Sequence, residues 1–450
     1  MSEITAASHP SANQPEDPAA KKGKRRTMFA LAFGYFIDQG EGQAMSVLFP
    51  TLQALWGLSY TQLGIIGTIR NILQSVTAPI WGYIADRYPR KNVIILGTGV
   101  WGIWTLLIGF SQDYQQLLWL RAISGIGLGC LMPAVFSLIS DTYPPHRRGR
   151  ALGSLEGLGV LGIVVFTLAL GALATPELWR WGFFLLGGLS IVSGILVWFM
   201  VEEPVRGAAE PELAGKITEE TASHYAVSWA NIRKMLRIPT IWVAIAQGLA
   251  GAMPWVVMGL YMITWLVNDR GYDEQAATIA FAAIVIGTAL SNVIGGFLGD
   301  WADVRSPKYG RVIVGQFSII AGIPLTTILF TQTAGWPFGA VVALGFFTAL
   351  LISWPGKGAK EPMIQAVTPP ELRASAFAFI VFVENGFTAV AAFAAGWLAD
   401  SVGLTQALVW MVPVPWIGCA AIFTLFYWTY PRDSMKLRTQ MAERAVEISV

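Results

Sequence analysis

Asp38, Glu41, Arg70 and Arg121 each interrupt a long apolar run. A charge in such a setting costs several kcal/mol unless it is paired or hydrated, so these four are the first candidates for chemistry. Asp38 and Glu41 are three residues apart, a spacing that puts both carboxylates on one helix face. Counted at a rise of 1.5 Å per residue, Asp38 lies roughly 15 Å and Glu41 roughly 20 Å from one surface, while Arg121 lies roughly 8 Å and Arg70 roughly 14 Å below the other. The depths match in pairs, Asp38 with Arg70 and Glu41 with Arg121. Such a cluster can switch: a proton on Asp38 or Glu41 releases its Arg, and the freed guanidinium can hold a phosphate. It also reads as a fixed ion-pair network tying three helices together. Glu384, roughly 20 Å along a later run, is the comparable carboxylate of the second half, suited to proton relay or to a polar helix contact.

Composition says what surrounds these charges. Of 450 residues, 54% are hydrophobic and only 13% charged, about half the charged share of a soluble domain. The solvent of most of the chain is lipid. A helical crossing needs roughly 20 apolar residues, and twelve segments qualify: 28–50, 61–85, 92–110, 116–140, 151–173, 181–201, 239–267, 275–299, 311–331, 337–359, 371–399 and 405–430. None shows the ten-residue alternation of a membrane β-barrel, so an all-α membrane protein of twelve transmembrane helices in two six-helix bundles is expected.

Basic residues sort by side. Lys21, Lys22, Lys24, Arg25 and Arg26 precede the first segment, Arg87, Arg90 and Lys91 follow the second, and Arg147, Arg148 and Arg150 follow the fourth; the opposite loops offer Arg180 and Arg270. The bias places both termini in the cytoplasm and the protein in the plasma (inner) membrane. The expected organisation is a disordered tail over 1–27, a first bundle over 28–201, a linker over 202–238, a second bundle over 239–430 and a cytoplasmic end over 431–450. The halves echo each other. Pro144, Pro145, Arg148 and Ala151 recur as Pro369, Pro370, Arg373 and Ala376, each 225 residues later in a chain of 450. Repeated halves about a midplane site are a common plan for secondary transporters.

The loop after the second segment reads Gly82-Tyr-Ile-Ala-Asp86-Arg87-Tyr-Pro-Arg90-Lys91. It resembles the GxxxDRxGRK signature of the major facilitator superfamily, with Pro89 where that pattern usually has Gly. Arg121 with Gly125, Gly127 and Gly129, and a fifth segment rich in glycine, extend the resemblance across the membrane region. The stretch 78–91, Asp38 and Arg121 are similar to the spinster branch, although Leu128 stands where spinster-like proteins tend to carry Glu. The resemblance implies a monomeric carrier working by alternating access, with Gly82, Asp86, Arg87 and Arg90 in a cytoplasmic latch that closes when the carrier faces outward. Glu156 sits beside the basic 4–5 loop and is expected to join that latch with Arg148 or Arg150. Spinster-like proteins are associated with lysophospholipid export, so a lysophospholipid or related amphiphile, moved with protons, is the first substrate expected; small organic anions or drugs are the alternative. Helices 1, 4, 7 and 10 line the cavity in this superfamily, which adds Trp255, Tyr261, Trp265 and Trp354 to Arg70 and Arg121 as substrate-binding candidates. Lys357, Lys360 and Glu361 are expected to snorkel and pair locally at the end of the tenth segment.

Other functions lack their residues. Gly356-Lys357-Gly358 has neither the spacing nor the hydroxyl residue of a phosphate loop, and no HExxH or nucleophile elbow occurs. Cys130 and Cys419 are the only cysteines and sit in apolar runs, so no metal site, cofactor or disulfide framework is expected. A net charge of +2 gives nucleic acid no footprint. Neither an enzyme nor a nucleic-acid binder is expected; the partners are substrate, protons and membrane lipid.

Overall fold

The computed structural model describes residues 18–143, 145–204, 236–369 and 373–449. Its elements are helices in chain order. α1 has two pieces, Pro18–Glu41 and Ala44–Trp56. There follow α2 (Tyr60–Arg87), α3 (Arg90–Ile108), α4 (Tyr114–Thr142), α5 (Pro145–Ala172) and α6 (Trp179–Met200). The second half has α7 (Pro239–Asn268), α8 (Glu274–Arg305), α9 (Gly310–Thr331), α10 (Phe338–Val367), α11 (Arg373–Val402) and α12 (Leu404–Phe423), with a last helix α13 (Phe426–Ser449).

Nine of these, α3 and α5 to α12, are long and apolar enough to cross a membrane. The other three expected crossings, α1, α2 and α4, are also helical, and they are the ones that hold Asp38, Glu41, Arg70 and Arg121. The arrangement is consistent with twelve crossings. Its exterior is apolar, with Phe199, Phe297 and Val304 at 79%, 74% and 85% exposure, a surface that only lipid covers at low cost.

Short side chains set the helix ends. Ser59 and Gln62 form a reciprocal capping box on α2, and Asp113 and Asp273 accept from backbone N–H groups in the first turns of α4 and α8. Residues 18–27 are helical, where an unstructured tail was expected; Lys and Arg are good helix formers and prolong the apolar helix that follows. Residues 1–17 and 205–235, most of the expected tail and linker, lie outside the described residues. The twelfth crossing ends at Phe423, and a separate helix occupies 426–449 where a cytoplasmic end was expected.

The halves meet along α2 with α11, α5 with α8, and the second piece of α1 with α7. Hydrogen bonds across this seam gather toward the face opposite the basic loops. The Asp400 carboxylate of α11 accepts from the Tyr60 and Thr61 N–H groups of α2, both at 2.8 Å, and from Thr61 Oγ1 at 2.5 Å. Asn268 of α7 donates to Gln53 and Tyr60. Tyr261 Oη lies 3.1 Å from the carbonyls of Tyr60 and Ala392, and Thr68 Oγ1 donates to Ala389 O at 2.7 Å. Asp400, Asn268 and Tyr261 thus tie the halves together at one face.

Candidate functional site

α1 breaks directly after Glu41. The turn is closed by Gly42 N–H donating to Asp38 O at 3.2 Å and Gln43 N–H to Gly40 O at 3.0 Å. The interruption leaves the Glu41 carbonyl without a helical donor, and Arg121 of α4 supplies one. Its Nη2 donates to Glu41 O at 3.3 Å and its Nη1 to Glu41 Oε1 at 3.2 Å, while Thr105 Oγ1 donates to the same carboxylate oxygen at 2.8 Å. Arg121 and Glu41 are 1% and 4% exposed. The expected Glu41–Arg121 pair is therefore present and deeply buried.

The second expected pair is absent. The Asp38 carboxylate makes no hydrogen bond or ion pair with the described residues; it lines a narrow cavity inside the first bundle with Thr98, Ser124, Ser190 and Ser193. A wide π turn at Ile95–Val100 brings Thr98 to that cavity, and such turns recur at functional sites. Arg70 instead packs its Nη2 near Gly42, and its Nε has no partner. The four charges do gather around the α1 break, as their depths required.

A larger cavity, of about 300 Å³, lies inside the second half, lined from α7 to α12. Lys360 Nζ and Glu384 Oε1 form a close ion pair in its wall, both side chains mostly buried at 14% and 16% exposure. The pair lies against Gly248 of α7: a Cβ there would stand 1.8 Å from Glu384 Oε1 and 2.6 Å from Lys360 Nζ. Gly248, Gly251 and Ala252 keep one face of α7 low, and Trp255 rises beyond them to meet Trp416 with ring centroids 5.8 Å apart. Lys360 closes a second π turn, Pro355–Lys360, whose Pro355 and Gly356 also line the cavity. Thus each π turn borders one cavity. We expect Gly248→Ala to split the ion pair and cost about 1–3 kcal/mol by overpacking; thermal unfolding of the purified protein reads it, and an unchanged midpoint contradicts the contact.

Several site residues expected from the sequence stand elsewhere. Tyr261 is buried in the seam between the halves and does not line the cavity, because its hydroxyl is aimed at two backbone carbonyls. Trp265 anchors the tied end: its Nε1 donates to Thr405, and it packs on Phe330 and under the Arg270 guanidinium. Trp354 stacks on Phe317, and its backbone contacts Gly295 of α8, so it too faces away from the cavity. Arg90 belongs to a clamp within the first half, pairing with Asp141 and Glu203, because Glu203 caps the start of α3 and draws it in. Gly82 makes no close helix approach; Gly125 and Gly129 do so, against α2. Arg87 is exposed over the Tyr83 ring, and Glu156 is exposed. The side chains of Asp86 and Arg148 lie outside the described residues. Trp255 and Glu384 do line the cavity. Of the three residues expected to snorkel and pair locally at the end of α10, Lys357 and Glu361 do pair with each other, but Lys360 turns into the cavity wall and pairs with Glu384; Gln247 and Trp416 also line the cavity and carried no sequence signal.

The major facilitator superfamily model matches residues 31–356, most of the chain and both halves of this architecture. The chain belongs to the Major Facilitator Superfamily. Among its superfamily relatives is a probable 4-methylmuconolactone transporter of Cupriavidus pinatubonensis, 26% identical over 405 residues and 87% of each chain. The 4-hydroxybenzoate transporter PcaK of Pseudomonas aeruginosa is 26% identical over 347 residues, 70% of this chain and 72% of that one. In fold it resembles a bacterial homologue of the human lysosomal transporter Spinster solved in an inward-facing conformation, with a TM-score of 0.81, 20% identity, and coverage of 92% and 98% of the two chains. The expected spinster likeness is present at the level of fold. This superfamily member is a membrane transport protein and not an enzyme.

Proposed function

We propose that this transporter couples proton movement to the passage of a small organic acid by alternating access. The observation that carries the reading is the second-half cavity: one buried cation, Lys360, paired with one carboxylate, Glu384, beneath aromatic walls from Trp255 and Trp416. A volume of about 300 Å³ is at the small end of ligand pockets and suits a small ligand. A substrate carboxylate can replace Glu384 on Lys360 when Glu384 takes a proton, so that acid and proton enter as a neutral pair. Relatives named for 4-methylmuconolactone and 4-hydroxybenzoate support an acid rather than the lysophospholipid first expected. Arg121 supports this too, since it is engaged by Glu41 and its backbone and is not open to a phosphate.

Coupling is assigned to Asp38, Glu41 and Glu384. Asp38 lies beside the Glu41–Arg121 pair with no ion pair of its own, and so can take and release a proton without breaking one. On this reading the basic face is the cytoplasmic one. The unpacked Gly82 and the exposed Arg87 support a latch of Gly82, Asp86 and Arg87 that engages when the carrier turns outward.

Proteoliposomes holding the full chain test this. With an imposed pH gradient we expect uptake of 4-hydroxybenzoate, no movement of lysophosphatidylcholine, and loss of the pH-driven component in Asp38→Asn with folded yield kept. Lysophospholipid flux without acid flux overturns the substrate class. Acid flux indifferent to the gradient overturns the coupling.

A further inference from the structure

At the tied face, the end of α11 meets the start of α2. Asp400 takes three hydrogen bonds there at once, from the Tyr60 and Thr61 N–H groups at 2.8 Å and from Thr61 Oγ1 at 2.5 Å. Both N–H groups belong to the first turn of α2, where a helix offers its donors no partner of its own. The arrangement recurs elsewhere. Asp269 accepts from the N–H and hydroxyl of Thr405 at the start of α12, and Asp433 from those of Thr240 at the start of α7. Those two act inside the second half, whereas Asp400 joins one half to the other.

Two features let this contact part at low cost. Asp400 and its donors meet at an exposed edge, so on separation water takes up the bonds that each side loses. Tyr261 Oη lies 3.1 Å from Tyr60 O in the first half and 3.1 Å from Ala392 O in its own half. Its single hydroxyl proton serves one carbonyl at a time, so it keeps Ala392 when Tyr60 leaves. Closure in turn needs glycine at two places. A Cβ on Gly64 would stand 2.7 Å from Ala392 O, and one on Gly396 would stand 2.5 Å from Tyr261 Oη and 2.9 Å from Thr61 Cα. The two helices touch through their backbones there, and a side chain at either level holds them apart.

Resting on the alternating-access reading above, we propose that Asp400 and the first turn of α2 form the gate of the face opposite the basic loops, with Gly64 and Gly396 setting how closely it shuts. The three bonds favour the state seen here. Turning the carrier requires breaking them together, because one carboxylate holds all three.

Hydrogen–deuterium exchange of the purified full chain, without substrate, reads both faces at once. In Asp400→Ala we expect exchange to rise about tenfold over residues 57–64 and to fall over residues 83–92 at the basic face, as the population moves to the state in which that face closes. Gly396→Ala is expected to move both segments the same way while leaving Asp400 in place. Asp269→Ala removes the same kind of bond inside one half, so exchange rises at the start of α12 and the basic face stays as it was. A rise near Asp400 with no fall at the basic face, in Asp400→Ala and in Gly396→Ala, overturns the proposal and makes the contact a structural tie; Gly396→Ala decides it alone where Asp400→Ala does not fold. A fall at the basic face in Asp269→Ala as large as in Asp400→Ala overturns it too. Wild-type uptake in proteoliposomes tests carriage separately, so uptake without the reciprocal change removes the gate and leaves the transport reading standing.

Discussion

Lys360→Met is expected to abolish acid binding, with affinity falling more than about a hundredfold, and to destabilise the protein. The side chain is the only cation lining the second cavity among the described residues, so a substrate carboxylate loses its counter-charge. Its removal further strands Glu384, a carboxylate 16% exposed against the bare backbone of Gly248. Removing one partner of a buried pair costs about 3–5 kcal/mol, because the remaining charge is left uncompensated. The two effects separate in a double variant. Lys360→Met with Glu384→Leu regains stability, since an apolar replacement of a buried pair is often neutral or better, yet it stays unable to bind acid. Thermal unfolding beside ligand binding reads both quantities. Retained affinity in the single variant would falsify Lys360 as the anion receptor.

Arg121→Ala has the other large effect. It withdraws two donors at once, one from the Glu41 carboxylate and one from the carbonyl freed by the break in α1. Thr105 alone then faces Glu41, which is 4% exposed. A loss of about 3–5 kcal/mol is expected, together with transport. Adding Glu41→Gln relieves the stranded charge and raises the unfolding midpoint again, while transport stays lost if the pair is part of the cycle. Arg121→Lys sharpens the point: an ammonium lacks the planar fork that reaches carboxylate and carbonyl together. Wild-type transport in Arg121→Ala/Glu41→Gln would mark the pair as a structural tie and nothing more.

Much of the first-half cluster was legible beforehand because helix geometry is regular. Depth follows from residue count at a fixed rise, and a charge in an apolar run has to find a partner, so Glu41 and Arg121 met as their positions required. Asp38 and Arg70 stand at matching depths but do not pair. The break at Gly42 turns the α1 backbone just beyond Asp38, and Asp38 lines the space between α1, α3, α4 and α6 instead. The second-half site was less legible. Lys360 and Glu384 sit on different helices, and the π turn Pro355–Lys360 alters which way Lys360 faces relative to a regular helix. Counting from the end of α10 therefore assigned it to the membrane surface.

The tryptophans divide in the same way. Their presence on α7 and α10 was plain, but α7 is long enough to run from the cavity at Trp255 to the tied end at Trp265. Which of them lines a cavity depends on depth and azimuth together, and periodicity without an orientation supplies only the first.

Sequence by itself determined the lipid environment, the helical class, the two-half plan and the superfamily, since apolar length, loop charge and a short loop motif are local properties. Tertiary structure decided which charges pair, where the two cavities lie, and at which face the halves are tied together. Those depend on contacts between helices far apart in the chain. There, glycines such as Gly248, a broken helix at Glu41 and two π turns set side-chain directions that regular helical counting does not supply.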